Sequence, residues 1–248
     1  MGQVRPQTQR PWRPQLTAQE RRVGMVFFVL YLTAFPLLVG SVVRALDEGL
    51  QLLLTSAQSS AIYYTLILLV LVAVFWDFLR HAVTILKENL HPSLVAFGGG
   101  FFLALALTCL MGLIPLPVVN PEIATYKAQL FVAPAATWAV AGFLRPAVEE
   151  ILYRGLLFGT VRRENRVWAY VLSAGLFALS AVWQHALFSG SPAYLLLLIQ
   201  YLPLGAVLCW SYDVSGSVYV PMALRVGVQT MFLIFAAMTP GEVPPMGL

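Results

Sequence analysis

Residues 146–155, with the sequence Pro-Ala-Val-Glu-Glu-Ile-Leu-Tyr-Arg-Gly, place two adjacent carboxylates and an arginine inside a long apolar segment. A charged side chain at bilayer depth costs at least about 2.5–3.5 kcal/mol on insertion scales, so charge at that depth indicates function. Of the eleven acidic residues, only Glu149 and Glu150 lie well inside a hydrophobic run. The stretch therefore predicts a functional site within a membrane helix.

Composition assigns the chain to the helical membrane proteins. Its 248 residues are 59% hydrophobic and only 10% charged, whereas about 25% of the residues in soluble domains are charged. Several apolar runs reach the roughly 20 residues that a membrane helix needs, and they are continuous rather than alternating. We therefore predict an all-α fold, a polytopic transmembrane helical bundle of about seven spans, with six to eight as the range.

The charge distribution predicts the domain organisation and the orientation. Residues 1–20 are rich in Pro, Gln and Arg and are expected to form a disordered basic tail. By the positive-inside rule, the arginines before the first span put the N-terminus in the cytoplasm of a multi-pass protein of the cell membrane. We interpret them as a topology signal and expect no nucleic-acid partner. Residues 21–240 form the predicted membrane domain, and residues 241–248 a short tail.

The apolar runs predict the positions of the spans. Ordinary spans are expected at about 23–43, 61–78, 93–116, 167–188, 193–210 and 217–238. The first span should be followed by an outer loop with Arg44, Asp47 and Glu48 and by an interfacial helix at 49–57. The second span should be followed by an amphipathic connector. A straight helix over residues 128–161 would measure about 51 Å against a core of about 30 Å. Pro134 and Pro146 are therefore expected to kink or break it.

Helix geometry separates the two glutamates and gives each of them an arginine. Adjacent residues of a helix point about 100° apart, so the two carboxylates cannot face one spot. Arg145 precedes Glu149 by four residues and Arg154 follows Glu150 by four, which are the spacings of facing pairs. A purely structural interpretation therefore stays open, in which two buried ion pairs hold helices together, although apolar residues usually pack as well.

Three polar residues of later helices are candidates to complete a site around Glu149, namely His185, Arg225 and Gln229. Counted inward from the loop at 162–166, Glu149 lies about 20 Å and His185 about 28 Å deep at the usual rise per residue. Arg225 lies about 13 Å from the turn before the last span. The residues can converge only if helices tilt or kink.

Such a group of residues could hydrolyse a peptide bond. A desolvated carboxylate is a competent general base, so Glu149 could activate water while His185 orients that water or protonates the leaving amine. Arg225 and Gln229 could donate hydrogen bonds to a developing oxyanion.

Other hydrolytic chemistries fit the sequence less well. It has no His-Glu-x-x-His pattern, which the usual paired-histidine zinc site requires. Ser180 and Ser189 lie near His185 in the sequence but in no nucleophile motif. Asp77 and Asp213 lie at span ends, which argues against a membrane aspartyl dyad.

The run from Glu149 to Arg154 resembles the Glu-Glu-x-x-x-Arg signature of the CPBP intramembrane proteases. That family includes the type II CAAX prenyl endopeptidases and the Abi proteins, and the resemblance covers roughly residues 128–240. It implies that Glu149 is the water-activating residue, and that Glu150 and Arg154 complete the motif.

The second and third motifs of the family are altered in this sequence. Its Phe-x-x-x-His pattern is matched by His185, with Ala181 in the phenylalanine position and Phe177 one helical turn earlier. Its His-x-x-x-Asn pattern has Arg225 for the histidine and Gln229 for the asparagine. An arginine stays protonated and has no lone pair to offer a metal. We therefore expect no metal and no other cofactor.

The leading hypothesis is a CAAX-protease-like intramembrane peptidase that cleaves a membrane-associated or lipidated peptide near the membrane surface and is surrounded by membrane lipids. One alternative is a catalytically silent scaffold, immunity protein or partner-binding protein that keeps the fold. A proton-coupled transporter would also explain buried Glu and His, but it predicts inverted repeats that the sequence does not display. The depth of His185 favours an outer site, whereas CAAX-type processing is cytoplasmic.

Overall fold

The computed structural model describes residues 15–36, 38, 41, 42, 45, 49 and 54–238. Within these residues the chain is helical and contains no strand, which confirms the predicted all-α class. Several predicted features fall wholly or partly outside the described residues. They are the tail at 1–14, the outer-loop residues Arg44, Asp47 and Glu48, part of the interfacial helix at 49–57, and the tail at 241–248.

The first three helices form the N-terminal part of the bundle. Helix α1 (Ala18–Leu32) begins inside the predicted tail, because Thr17 and Glu20 form a reciprocal capping box. Helix α2 (Ser56–Val74) corresponds to the second predicted span. Helix α3 (Trp76–Glu88) is the amphipathic connector, since it buries one face and exposes its charged residues.

The next two helices lie on either side of a proline-containing loop. Helix α4 (Leu90–Gly112) is the third predicted span. A Cβ on Gly100 would lie 2.5 Å from the Leu224 side chain, so this glycine permits close packing of α4 on the last helix. Helix α5 (Pro121–Val132) starts after Asn120, whose side chain accepts a hydrogen bond from the Glu122 amide.

The predicted long segment is broken at one of its two prolines. Ala133 has φ −144° and ψ 70°, so α5 ends there and a new helix, α6, begins at Pro134 and continues to Arg162. Pro146 does not end this helix. Instead, π-helical turns at Trp138–Leu144 and Ile151–Phe158 flank the α-helical stretch Arg145–Glu150. Proline lacks an N–H and crowds the preceding turn, and a wider turn before Pro146 accommodates it.

The last three helices complete the bundle. They are α7 (Arg166–Phe188), α8 (Pro192–Ser215, with a 3₁₀ turn at Pro192–Leu197) and α9 (Tyr219–Met238). Among the described residues, α2, α4, α7, α8 and α9 are long and apolar enough to cross a membrane. This number is roughly consistent with the predicted seven, because the first predicted span is only partly described and the long segment is divided.

The two ends of the bundle differ in charge. At the arginine end, defined by Arg162, Arg163 and Arg166, the Asp213 carboxylate accepts hydrogen bonds from Arg162 at 2.7 Å and Arg166 at 2.8 Å. Gly216 ends α8 there with φ 72°, a conformation that favours glycine. The proline end, defined by the loop between α4 and α5, contains Pro115, Pro117 and Pro121. The glutamate pair lies between these ends.

Candidate functional site

The carboxylate of Glu149 lies between two guanidinium groups. Arg145 Nε donates to its Oε1 at 2.7 Å, and Arg225 Nη2 donates to its Oε2 at 3.4 Å. The first is a short charge-assisted hydrogen bond and the second a long one. The glutamate is only 4% exposed. The structure therefore brings Glu149 and Arg225 together, and it forms the ion pair with Arg145 that the four-residue spacing indicated.

Arg145 extends this network to α5. Its Nη1 lies 3.3 Å from Glu122 Oε1 and donates to the Tyr126 hydroxyl at 3.3 Å. Glu122 also accepts hydrogen bonds from the hydroxyls of Tyr201 at 2.6 Å and Tyr126 at 2.8 Å. Acidic and basic side chains thus alternate from Glu122 through Arg145 and Glu149 to Arg225, and connect α5, α6 and α9.

The surroundings of Glu122 favour its charged form. Burial alone would raise the pKa of this carboxyl, but Arg145, Arg225 and the two tyrosine hydroxyls outweigh burial and lower the pKa from its ordinary value. Glu122 is therefore a carboxylate at neutral pH.

Glu150 lies in a separate, fully enclosed pair. Arg154 Nη1 donates to Glu150 Oε1 at 3.1 Å, and both residues are 0% exposed. Arg154 also donates to the Gly205 carbonyl at 3.1 Å and lies 4.5 Å from the centre of the Phe177 ring. These contacts fix α6 against α7 and α8. The structure therefore separates Glu150 and Arg154 from the Glu149 network, as the 100° angle between adjacent residues requires.

The structure does not bring His185 to Glu149. His185 is exposed on α7, and its ring lies 6.1 Å from that of Tyr194. Phe177, which lies eight residues earlier on α7, contacts the buried arginines instead. The centre of its ring lies 5.1 Å from the Arg225 guanidinium and 4.5 Å from the Arg154 guanidinium. Eight residues of helix correspond to about 12 Å. His185 therefore lies beyond the glutamates, towards the proline end.

A cavity of about 570 Å³ reaches from the proline end to Arg225. Arg225 and Gln229, each 4% exposed, lie at its deep end on α9. In the described part of the chain, the side-chain amide of Gln229 has no hydrogen-bond partner, and neither has Nε of Arg225. The other lining residues are Thr108, Gly112, Ile114, Leu116, Val118, Val119, Asn120, Glu122, Ala124, Tyr126, Lys127, Gln200, Tyr201, Leu204, Phe232 and Ala236.

Sequence reasoning missed the residues that α5 and α8 contribute. Glu122, Tyr126 and Tyr201 join the network, but none of them was predicted as a site residue. The available signal was local: Asn120-Pro121-Glu122 is the pattern of a helix start, which would have put Tyr126 one turn after Glu122 on the same face. Nothing in the sequence paired these residues with Tyr201, which is 79 residues from Glu122.

The residues around Glu149 do not fit a metal ion. The described residues contain no group of three or more His, Cys, Asp or Glu side chains that could hold one. The charged side chains in contact with Glu149 are Arg145 and Arg225, and a guanidinium group has no lone pair for a metal.

Comparison with known proteins gives one match. Residues 131–231 match the family described as type II CAAX prenyl endopeptidase Rce1-like. No curated protein and no solved structure matches the chain. The matched residues run from the end of α5 into α9 and include both glutamates, whereas Glu122 and Lys127 precede them. The part of the chain that contains the glutamate pair is therefore similar to the CAAX-protease-like membrane proteins of the Rce1-like family.

Proposed function

We propose that this protein is a non-hydrolytic member of its family, which binds a ligand in the cavity between Arg225 and the proline end. The observation that carries the proposal is the engagement of both Glu149 oxygens by Arg145 and Arg225. This function corresponds to the silent, partner-binding alternative rather than to a peptidase.

A general base needs a free lone pair directed at its water. Each oxygen of Glu149 already accepts one hydrogen bond from a guanidinium group, and the residue is only 4% exposed, so little room remains for a water at the second lone pair of either oxygen. Freeing Oε2 would leave the buried Arg225 without the carboxylate that it pairs with among the described residues, which is costly. Glu149 is therefore better placed to hold the two arginines than to take a proton from water.

Among the described residues, the hydrogen-bond partners of Glu149 are two arginines, and no histidine is among them. Arg225 occupies the position where the family pattern has a histidine, and an arginine does not accept a proton. Phe177 faces Arg225 from α7, and His185 lies about two turns further along that helix. Of the two histidine positions in the family patterns, one is thus occupied by a permanent cation, Arg225, and the other, His185, lies away from Glu149.

The cavity supports a binding role. Its volume of about 570 Å³ lies within the range of about 300–1,000 Å³ that is typical of ligand pockets. Its walls are mainly apolar, and the polar groups of Arg225 and Gln229 converge at its deep end. Apolar walls with a few placed polar groups are the usual composition of a specific small-ligand site.

The family match favours a second candidate, a peptidase with Glu149 as its base. Purified protein in liposomes should be offered prenylated and unmodified membrane peptides, and the products analysed by mass spectrometry. We expect no cleavage by the wild type, Glu149→Gln or His185→Ala, with folding of each checked by gel filtration. Cleavage by the wild type that Glu149→Gln abolishes would establish the peptidase. Cleavage that both variants retain would also refute the proposal and would place catalysis elsewhere.

A further inference from the structure

The charges around the cavity do not balance. Arg225, Lys127 and Glu122 line it, and Arg145 and Glu149 lie directly behind them in the same network. Three cations and two carboxylates leave one positive charge in excess. Lys127 is half-buried on α5 and has no ion-pair partner among the residues that the structure describes. A ligand with a single negative charge would neutralise this group.

The residues at the deep end of the cavity have hydrogen-bond donors that no acceptor of the described chain uses. Arg225 makes one long hydrogen bond to Glu149, and its Nε has no acceptor within the described chain. The Gln229 amide one turn later is likewise free of protein partners there. Both residues are 4% exposed. A hydrogen bond to a charged group contributes about 1.5–3 kcal/mol, so an acceptor on a ligand would be stabilised by the Arg225 guanidinium and the Gln229 amide that line the cavity.

Apolar side chains line much of the wall between the deep end and the mouth. Leu204 of α8, Phe232 of α9, and Leu116 and Val118 of the proline-end loop line this part. On α9, the cavity extends from Arg225 to Ala236, eleven residues that correspond to about 16 Å of helix. The space therefore accommodates an extended apolar chain behind a polar head.

We propose that the cavity binds an alkyl carboxylate, a single apolar chain that ends in one carboxylate, with the head at Arg225 and Gln229. The inference rests on the proposed binding function and names its ligand class. A carboxylate accepts several hydrogen bonds, which suits both donors, and a guanidinium group binds it particularly well. Lys127, nearer the mouth, attracts the anion and supplies the remaining positive charge. An alcohol of equal length lacks the charge, and an alkyl ammonium ion would add to the excess.

Octanoate is a suitable probe for the full-length protein in nanodiscs. Isothermal titration should give saturable binding of octanoate that empty nanodiscs do not show, and much weaker binding of octanol. Arg225→Gln should weaken octanoate binding about tenfold or more, as expected when a hydrogen bond to a charged group is lost. Lys127→Gln should weaken it about twofold to fivefold. Arg163→Gln, which removes an exposed charge at the arginine end, should leave the affinity unchanged.

Several outcomes would overturn the inference: no saturable binding, equal binding of octanoate and octanol, or an affinity that Arg225→Gln does not change. If Arg225→Gln fails to fold, Gln229→Leu tests the proposal in its place, because this variant removes the amide with little change of volume. Gln229→Leu should weaken octanoate binding by a few-fold. An unchanged affinity in both Gln229→Leu and Lys127→Gln would then refute the proposal. Peptide cleavage in liposomes is a separate readout: it would refute the non-hydrolytic function and leave the octanoate result standing.

Discussion

Glu149 and Glu150 are neighbours in the chain, but they lie in different parts of the molecule. Glu149 belongs to a network of four charges that reaches α5 and α9 and, through Arg225, the cavity. Glu150 is enclosed with Arg154 between α6, α7 and α8, and both residues are 0% exposed. A 100° rotation between successive residues of one helix is enough to produce this separation.

The comparison indicates different roles for the two carboxylates. The arginines around Glu149 have other possible partners: Arg145 also pairs with Glu122, and Arg225 faces a cavity that can admit water. Glu150 has no such second partner. Among the described residues its Oε2 has no hydrogen-bond partner, and Arg154 is the cation that neutralises it. The enclosed pair therefore holds the bundle together, whereas the open network can respond to a ligand.

The largest effect should follow from breaking the enclosed pair. Arg154→Met leaves Glu150 enclosed in the core without its counter-charge, and we expect a loss of about 3–5 kcal/mol in the free energy of unfolding. Thermal unfolding of the purified protein in detergent measures this loss.

The double variant Glu150→Leu/Arg154→Met is the matched control. Replacing both partners of a buried ion pair by apolar residues is often neutral or stabilising, so the double variant should recover most of the lost stability. A double variant as unstable as Arg154→Met would show that Arg154 stabilises the fold mainly through Gly205 and Phe177 rather than through Glu150.

A smaller effect is expected in the open network. Glu149→Gln leaves Arg145 paired with Glu122 and leaves Arg225 next to the cavity, so we expect a loss of about 1–3 kcal/mol. Glu150→Gln leaves Arg154 enclosed without a counter-charge and should cost more. Comparing the unfolding temperatures of the two single variants tests the difference. Equal losses, or a larger loss for Glu149→Gln, would contradict the distinction between the two carboxylates.

Features governed by local spacing could be predicted from the sequence. Apolar runs indicated the spans to within a few residues, as for 167–188 against Arg166–Phe188, because burial in lipid is a property of a continuous segment. Both ion pairs on α6 follow from four-residue spacing. Pro134 marked a true break, whereas π-helical turns allow the helix to continue through Pro146, an adjustment that proline alone does not reveal.

Features that depend on contacts between distant helices could not be predicted in this way. His185 was proposed as the partner of Glu149, but the structure places Phe177 beside Arg225 and leaves His185 exposed. The rotation of α7 about its axis decides which residue faces the cluster, and its apolar pattern does not determine that rotation closely. Glu122 was not predicted as a site residue, because neither its contact with Arg145 nor its contact with Tyr201 can be inferred from local spacing.

The smallest effect concerns the edge of the open network, at Glu122. Its pKa is lowered in the folded protein, so its contribution to stability is present above the unfolded carboxyl pKa of about 4.3 and is lost as the pH falls through the lower folded value. Glu122→Gln keeps the shape of the side chain and leaves Arg145 paired with Glu149, so at pH 6–7.5 it should cost only about 1 kcal/mol. The difference in unfolding temperature between wild type and variant should be constant in that range and shrink below about pH 4.3. Glu88→Gln on the exposed face of α3 should show no such trend. A difference that grows as the pH falls would mean that Glu122 is not held as a carboxylate, and the open network would then lack one of its two negative charges.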